Sequence, residues 1–190
     1  MEKIITDGKS IKIRYSDEKT KDNIKFNDIY SCTMTNNSKV ELQNSTYLNL
    51  ELSRHMGPRI LYGKIGILFE KSSSNKITIK LPYIYKNTEH YENSILYNKE
   101  CCYKGIAKEY AKDIVEEIEN YITKTGDFPK CDITIVDGAN CEIGSCSALF
   151  RIIINVLFDL FSSGKYKDIQ NMNEEEWIIY AKERFDLFET

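Results

Sequence analysis

The chain has 190 residues, 42% of them hydrophobic, and a net charge of −3. That length and apolar content fit one globular domain with embellishments and a real core, numbered here 1–190. The charge excludes the overall basic footprint of a free-standing nucleic-acid binder, although a local basic patch is compatible with it. The first fifteen residues, MEKIITDGKSIKIRY, hold no apolar run of leader length, so a cytoplasmic protein without a membrane segment is expected. Its six cysteines are then reduced thiols. No C-x-x-C pair occurs, and the spacing of Cys101-Cys102, Cys131, Cys141 and Cys146 shows no zinc motif, so no metal is expected. Three prolines with abundant Lys, Asn, Ile and Tyr fit an AT-rich bacterial genome.

Residues 1–46 read as a β-rich N-terminal extension. Ile4-Ile5, Ile11 to Tyr15, Ile24 to Met34 and Val40 to Leu42 are short apolar or alternating runs. Asp7-Gly8, Ser16 to Asp22 and Thr35 to Ser38 are the turns between them. They are either a separate unit or strands added to the main sheet.

The core spans 47–164. Tyr47, Leu48, Leu50 and Leu52 predict a strand, Ser53 to Pro58 a loop, and Leu61 to Glu70 a second strand with Ile65, Ile67 and Phe69 on one face. Lys76 to Leu81 follows as another strand after a serine-rich turn. The segment 83–102 is an insert rich in tyrosine, read as a surface excursion whose aromatics pack onto the core. The alternative is a binding loop, since long irregular loops are often functional. Gly105 to Lys124 repeats an apolar residue every fourth position, from Ile106 through Tyr110, Ile114, Ile118 and Ile122, and predicts an amphipathic helix.

The stretch from Gly126 to Phe161 organises the chain. Cys131, Ile133 and Ile135 alternate with polar residues as a half-buried strand does, and Asp137-Gly138 predicts its end in a tight turn. Ser145 and Ser147 are candidate caps for a helix running from Ala148 to Phe161. That helix is almost wholly apolar and must lie against a sheet; at about 14 residues it is too short to span a bilayer. A last helix is predicted within 165–190. Gly164 ends the helix before it, Asn173 and Glu176 form a capping box, and Trp177, Tyr180 and Phe188 lie on the buried stripe.

Three sets of residues carry a resemblance. Arg54, Gly57, Arg59, Tyr62-Gly63 and Phe69-Glu70 match a loop-and-strand motif of domain IV of translation elongation factor G. Ile106 to Tyr110 resembles the entry to that domain's first helix. Asp137-Gly138, Ser145-Cys146 and Ala148 to Arg151 resemble its tip loop, cap and second helix without a gap. The similarity covers roughly 48–161. It implies an α+β, two-layer ribosomal-protein-like fold: a small sheet, helices on one face and a left-handed βαβ crossover. It further implies that Ser53 to Tyr62 and Gly138 to Gly144 lie together at a tip that enters the ribosomal decoding site. Arg54, Gly57, Arg59, Lys64, Gly138, Asn140 and Cys141 are then the candidate residues contacting ribosome or RNA. The family's tip usually carries a histidine where this chain has Cys141.

Several chemistries are missing. There is no phosphate-binding loop, so the chain is not the GTPase and no nucleotide is expected. There is no G-x-S-x-G elbow and no H-E-x-x-H helix. Cys141 is the best single candidate for a reactive thiol, but Glu142 beside it disfavours the thiolate. The expectation is a non-enzymatic, translation-factor-like module without cofactor. The alternative is a protein–protein interaction module on the same fold, with its inserts and extension as the binding surface.

Overall fold

The computed structural model describes residues 2–7, 11–19, 24–72, 74–96, 101–169, 171–173, 175–177 and 179–180. Its strands are β1 (Glu2–Asp7), β2 (Ile11–Ser16), β3 (Asp28–Thr35), β4 (Thr46–Met56), β5 (Arg59–Lys71), β6 (Lys76–Tyr83), β7 (Cys102–Lys104) and β8 (Cys131–Cys141); its helices are α1 (Lys108–Thr125) and α2 (Ser147–Ser162). The strands form one mixed sheet in the order β1-β2-β4-β5-β8-β6-β3, with β7 paired to β8. Every pairing is antiparallel except β6 with β8. A parallel pair needs a crossover, and α1 is contained in it. Helix α1 packs on β3 and β6, α2 on β4 and β5, and the helices pack on each other. The molecule is therefore α+β. Among the described residues no helix is long and apolar enough to cross a membrane.

The N-terminal extension is part of the main sheet. Strands β1 and β2 widen it beyond β4, while β3 closes the opposite edge against β6. The segment around Val40 makes only a single bridge, Glu41 to Lys130, instead of a strand.

Of two predicted breaks, one is shortened and the other is absent. The loop expected over Ser53 to Pro58 shrinks to Gly57-Pro58, because β4 runs on to Met56 and β5 begins at Arg59. Gly57 has φ +59° and proline holds a negative φ, the sign pattern of a type II′ hairpin turn. Likewise β8 does not end at Asp137-Gly138 but continues to Cys141. Gly66 pairs with Asp137 and Ile67 with Ile135, which leaves Val136 as a bulge. Gly138 serves close approach here: a Cβ at that position would lie 2.7 Å from Ile106 Cγ1.

The helix-facing side of the sheet is apolar because alternate residues share a face. Leu48, Leu50 and Leu52 lie across from Ile67, Ile65 and Gly63, and Ile133 lies across from Phe69. Phe69 stacks on Phe161 with centroids 3.8 Å apart, and Phe128 on Phe158 at 5.3 Å. The predicted capping box is present: Asn173 N–H donates to Glu176 and Glu176 N–H to Asn173, both at 2.9 Å. Residues 175–177 and 179–180 are helical, and Trp177 packs edge-on to Tyr15. Phe188 lies outside the described residues.

Replacing Phe158, which touches Phe69, Tyr121 and Phe128, tests this core. Phe158→Ala is expected to cost about 3–5 kcal/mol. Urea unfolding should show a lower midpoint with an unchanged slope.

Candidate functional site

The two segments that the sequence pairs do meet. Tyr62 N–H donates to Gly144 O at 3.2 Å. Ser145 Oγ donates to Tyr62 O and accepts from Cys141 N–H, each at 2.7 Å. Ser145 is thus a clamp between the segments and not a helix cap; the N-cap of α2 is Cys146, which makes no side-chain cap bond. Gly144 has φ +135°, and a Cβ there would sit 2.2 Å from Ile60 O, so the contact admits glycine alone.

Beside this junction lies a cleft of about 580 Å³, lined by Pro58 to Leu61, Leu96, Cys101, Cys141 and Ile143 to Cys146. Its walls are mainly carbon and sulfur, with Arg59 as the lining cation. The rim is apolar and exposed: Ile143 is 85% accessible and Ile60 38%, and Met56 across the hairpin is 43%.

The candidate contact residues divide into two groups. Gly57 and Arg59 are exposed at the hairpin end, and Arg54 is half-buried on β4. Lys64, by contrast, is 2% accessible and lies inside the molecule, with Nζ 2.6 Å from Asp137 Oδ2. Gly138 and Asn140 are buried within β8, and Asn140 Nδ2 donates to Gly105 O at 2.9 Å. Cys141 is buried and lines the cleft. The tip therefore does not carry the three-cation patch of Arg54, Arg59 and Lys64.

Lys64 belongs to a polar layer on the sheet face away from the helices. Asn49, Glu51 and Ser53 alternate with the leucines of β4, and all three are buried. Glu51 accepts from Arg14 at 3.1 Å, Tyr62 OH at 2.7 Å and Ile95 N–H at 3.0 Å. Asp137 accepts from Asn49 Nδ2 at 3.0 Å in addition to pairing with Lys64. The insert covers this layer. Tyr91, Ile95 and Leu96 pack with Tyr62, Cys102, Ala139 and Cys141, and Lys64 Nζ lies 4.5 Å from the Tyr91 ring centre. Burial alone would lower the Lys64 pKa, but the Asp137 carboxylate outweighs it and holds the value above the ordinary lysine range. For Glu51 burial dominates over Arg14 and the hydrogen bonds, and its pKa is raised. Sequence reading missed this layer. Its one signal was the strict alternation of Asn49, Glu51 and Ser53 with leucine.

Within the insert, Thr88 to Asn93 together with Lys104 line a polar hollow of about 500 Å³. The His90 ring lies tilted against Tyr103 with centroids 4.8 Å apart, and Lys104 pairs with Glu89 at 2.7 Å.

Three thiols converge near the cleft: the sulfurs of Cys101, Cys102 and Cys141 all lie within 4.8 Å of one another. A hydrogen bond with Cys102 and then burial hold the Cys141 thiol well above its ordinary pKa. Burial first, and Cys141 second, push Cys101 up to about 11. Both effects keep the Cys141 and Cys101 thiols protonated, the reverse of what a nucleophile needs.

No protein-family model matches this chain, and no curated protein and no solved structure matches it.

Two outcomes test the polar layer. Lys64→Met strands the Asp137 charge and is expected to cost about 3–5 kcal/mol. Adding Asp137→Asn should recover at least ~1 kcal/mol in a double-mutant cycle read by urea unfolding. Glu51 has a folded-state pKa above its unfolded value. The stability that goes with its protonated form is complete below the ordinary carboxylate range and is lost as pH rises through the folded-state value. Glu51→Gln should therefore gain stability relative to the parent as pH is raised from about 4 to 8. A constant difference between the two would contradict the assignment.

Proposed function

We propose that this chain is a non-enzymatic, translation-factor-like binding module that meets its partner with the tip. Support for the fold part of this reading lies in the element order. A β4–β5 hairpin, β6, α1, β8 and α2 follow one another, β8 enters between β5 and β6, and both helices pack together. Helices packed together on one sheet face around a βαβ crossover are what the resemblance to domain IV of elongation factor G implies. The function itself has to be argued from the site and not from the fold.

One observation favours a protein as the partner. The tip presents exposed Ile143, Ile60 and Met56 around an apolar cleft, while Lys64 has withdrawn into the interior. RNA phosphates call for clustered cations, and each such contact is weak and screened by salt. Apolar rims with an arginine beside them are the chemistry of protein hot spots. The partner is accordingly another protein, which inserts an apolar side chain between the hairpin and the β8–α2 connection. A second reading, contact with ribosomal RNA, rests on Arg59 and Arg54 at the hairpin.

A photo-crosslinking side chain at position 143 tests the first reading in cytosolic extract. It should yield a discrete protein adduct that persists in high salt and falls about tenfold or more in Ile60→Glu. Co-sedimentation with ribosomal subunits tests the second. Binding that declines steeply with salt and vanishes in Arg54→Ala/Arg59→Ala, without a protein adduct, would replace the protein reading with the RNA one.

A further inference from the structure

The thiol cluster has the makings of a metal site that its spacing in the sequence conceals. Cys102 on β7 lies opposite Cys141 on β8, and side chains opposite one another on paired strands share a face. The ladder extends by one bond, from Glu142 N–H to Cys101 O at 3.2 Å, which holds Cys101 beside the pair. Its Sγ is 2.7 Å from Cys141 Sγ. On the enclosed side Tyr91, Ile95 and Leu96 pack over the cluster. On the other side Cys101 and Cys141 face the tip cleft, which provides an entry path.

We propose that Cys101, Cys102 and Cys141 bind one Zn²⁺ as a three-thiolate site whose fourth position faces the tip cleft. Sulfur donors select soft or borderline cations and reject Mg²⁺ and Ca²⁺. A Zn–S distance of about 2.3 Å in tetrahedral geometry places the sulfurs about 3.8 Å apart. The observed spread within 4.8 Å reaches this by side-chain rotation. Charge decides between the thiophilic ions: three thiolates leave zinc at −1 but Cu⁺ at −2, and a larger net charge is harder to bury. Each thiol releases its proton to solvent through the cleft as it binds. Ser94 Oγ, 3.4 Å from Cys102 Sγ, is the outer group that orients that ligand. A Cys101–Cys141 disulfide is the competing chemistry. It requires an oxidant and removes two of the three ligands.

The test uses the full chain, reduced with a phosphine and stripped of metal. It is titrated with Zn²⁺ against a chromophoric chelator and with Co²⁺ as a spectroscopic probe. One equivalent of metal should bind, with thiolate-to-cobalt charge transfer in the near ultraviolet and a rise in Tm with Zn²⁺. Cys101→Ser should weaken zinc binding by about tenfold or more and diminish the charge-transfer band. Cys32→Ser, at the sheet edge on β3, should leave both unchanged. Cys101 is only half-buried, so that variant carries the test even if Cys141→Ser fails to fold. Absence of charge transfer in the folded parent, or unchanged binding in Cys101→Ser, would overturn the proposal. So would a reduced chain that takes no metal but forms a Cys101–Cys141 disulfide in air.

Discussion

Strand β8 must satisfy both of its edges while its neighbours change along its length. One edge pairs with β5 throughout; the other pairs in parallel with β6 at Ile133 and Thr134, then antiparallel with β7 from Ala139 to Cys141. Buried backbone groups must be paired, and this requirement shapes the rest. The parallel pairing demands a crossover and so places α1 on the sheet. The antiparallel pairing draws the end of the insert down onto the far face. The bulge at Val136 lets one strand serve both neighbours, and its end delivers Cys141 and the β8–α2 connection to the tip.

The sheet has two unlike faces. Toward the helices it presents leucine, isoleucine and phenylalanine, and its burial is the hydrophobic drive to fold. The other face carries Glu51, Lys64, Asp137 and Asn49 under the insert. A buried ion pair is a poor source of net stability, because desolvation consumes much of the attraction. It does penalise error: a slip of one residue between β4, β5 and β8 would turn these charges into the phenylalanine cluster. We read the polar layer as a register device, with the insert as its lid. Long insertion and polar face thus explain one another.

The tip inherits its shape from that register. Ser145 reaches Tyr62 across 83 positions of sequence, and Gly144 lets the two backbones close to contact. The surface that results is small, rigid at its base and apolar at its rim. Arginine sits beside it, while the third expected cation is spent on Asp137. What it exposes is apolar side chain more than charge. The thiols of Cys101 and Cys141 add soft donors next to the same opening.

Much was legible in the sequence because it was local. Alternation in Leu48 to Leu52, Ile65 to Phe69 and Cys131 to Ile135 marked the strands of the core, and the four-residue repeat from Ile106 marked α1. The Asn173–Glu176 capping box was legible in its residues; the resemblance set the Ser53–Tyr62 and Gly138–Gly144 segments together but named none of the contacts between them. Three things were not, since each depends on a strand's neighbours. Asp137-Gly138 is a turn by composition, but pairing to β5 and the approach of Ile106 kept it extended. Lys64 is a surface cation by type, but alternation on β5 aimed it at Asp137. Cys101, Cys102 and Cys141 have no metal spacing along the chain, but the β7–β8 register sets them side by side. Local pattern determined most of the core's strands and helices and which face of each is apolar. Only the tertiary structure decided which strands are neighbours, and with them the buried charges, the thiol cluster and the character of the tip.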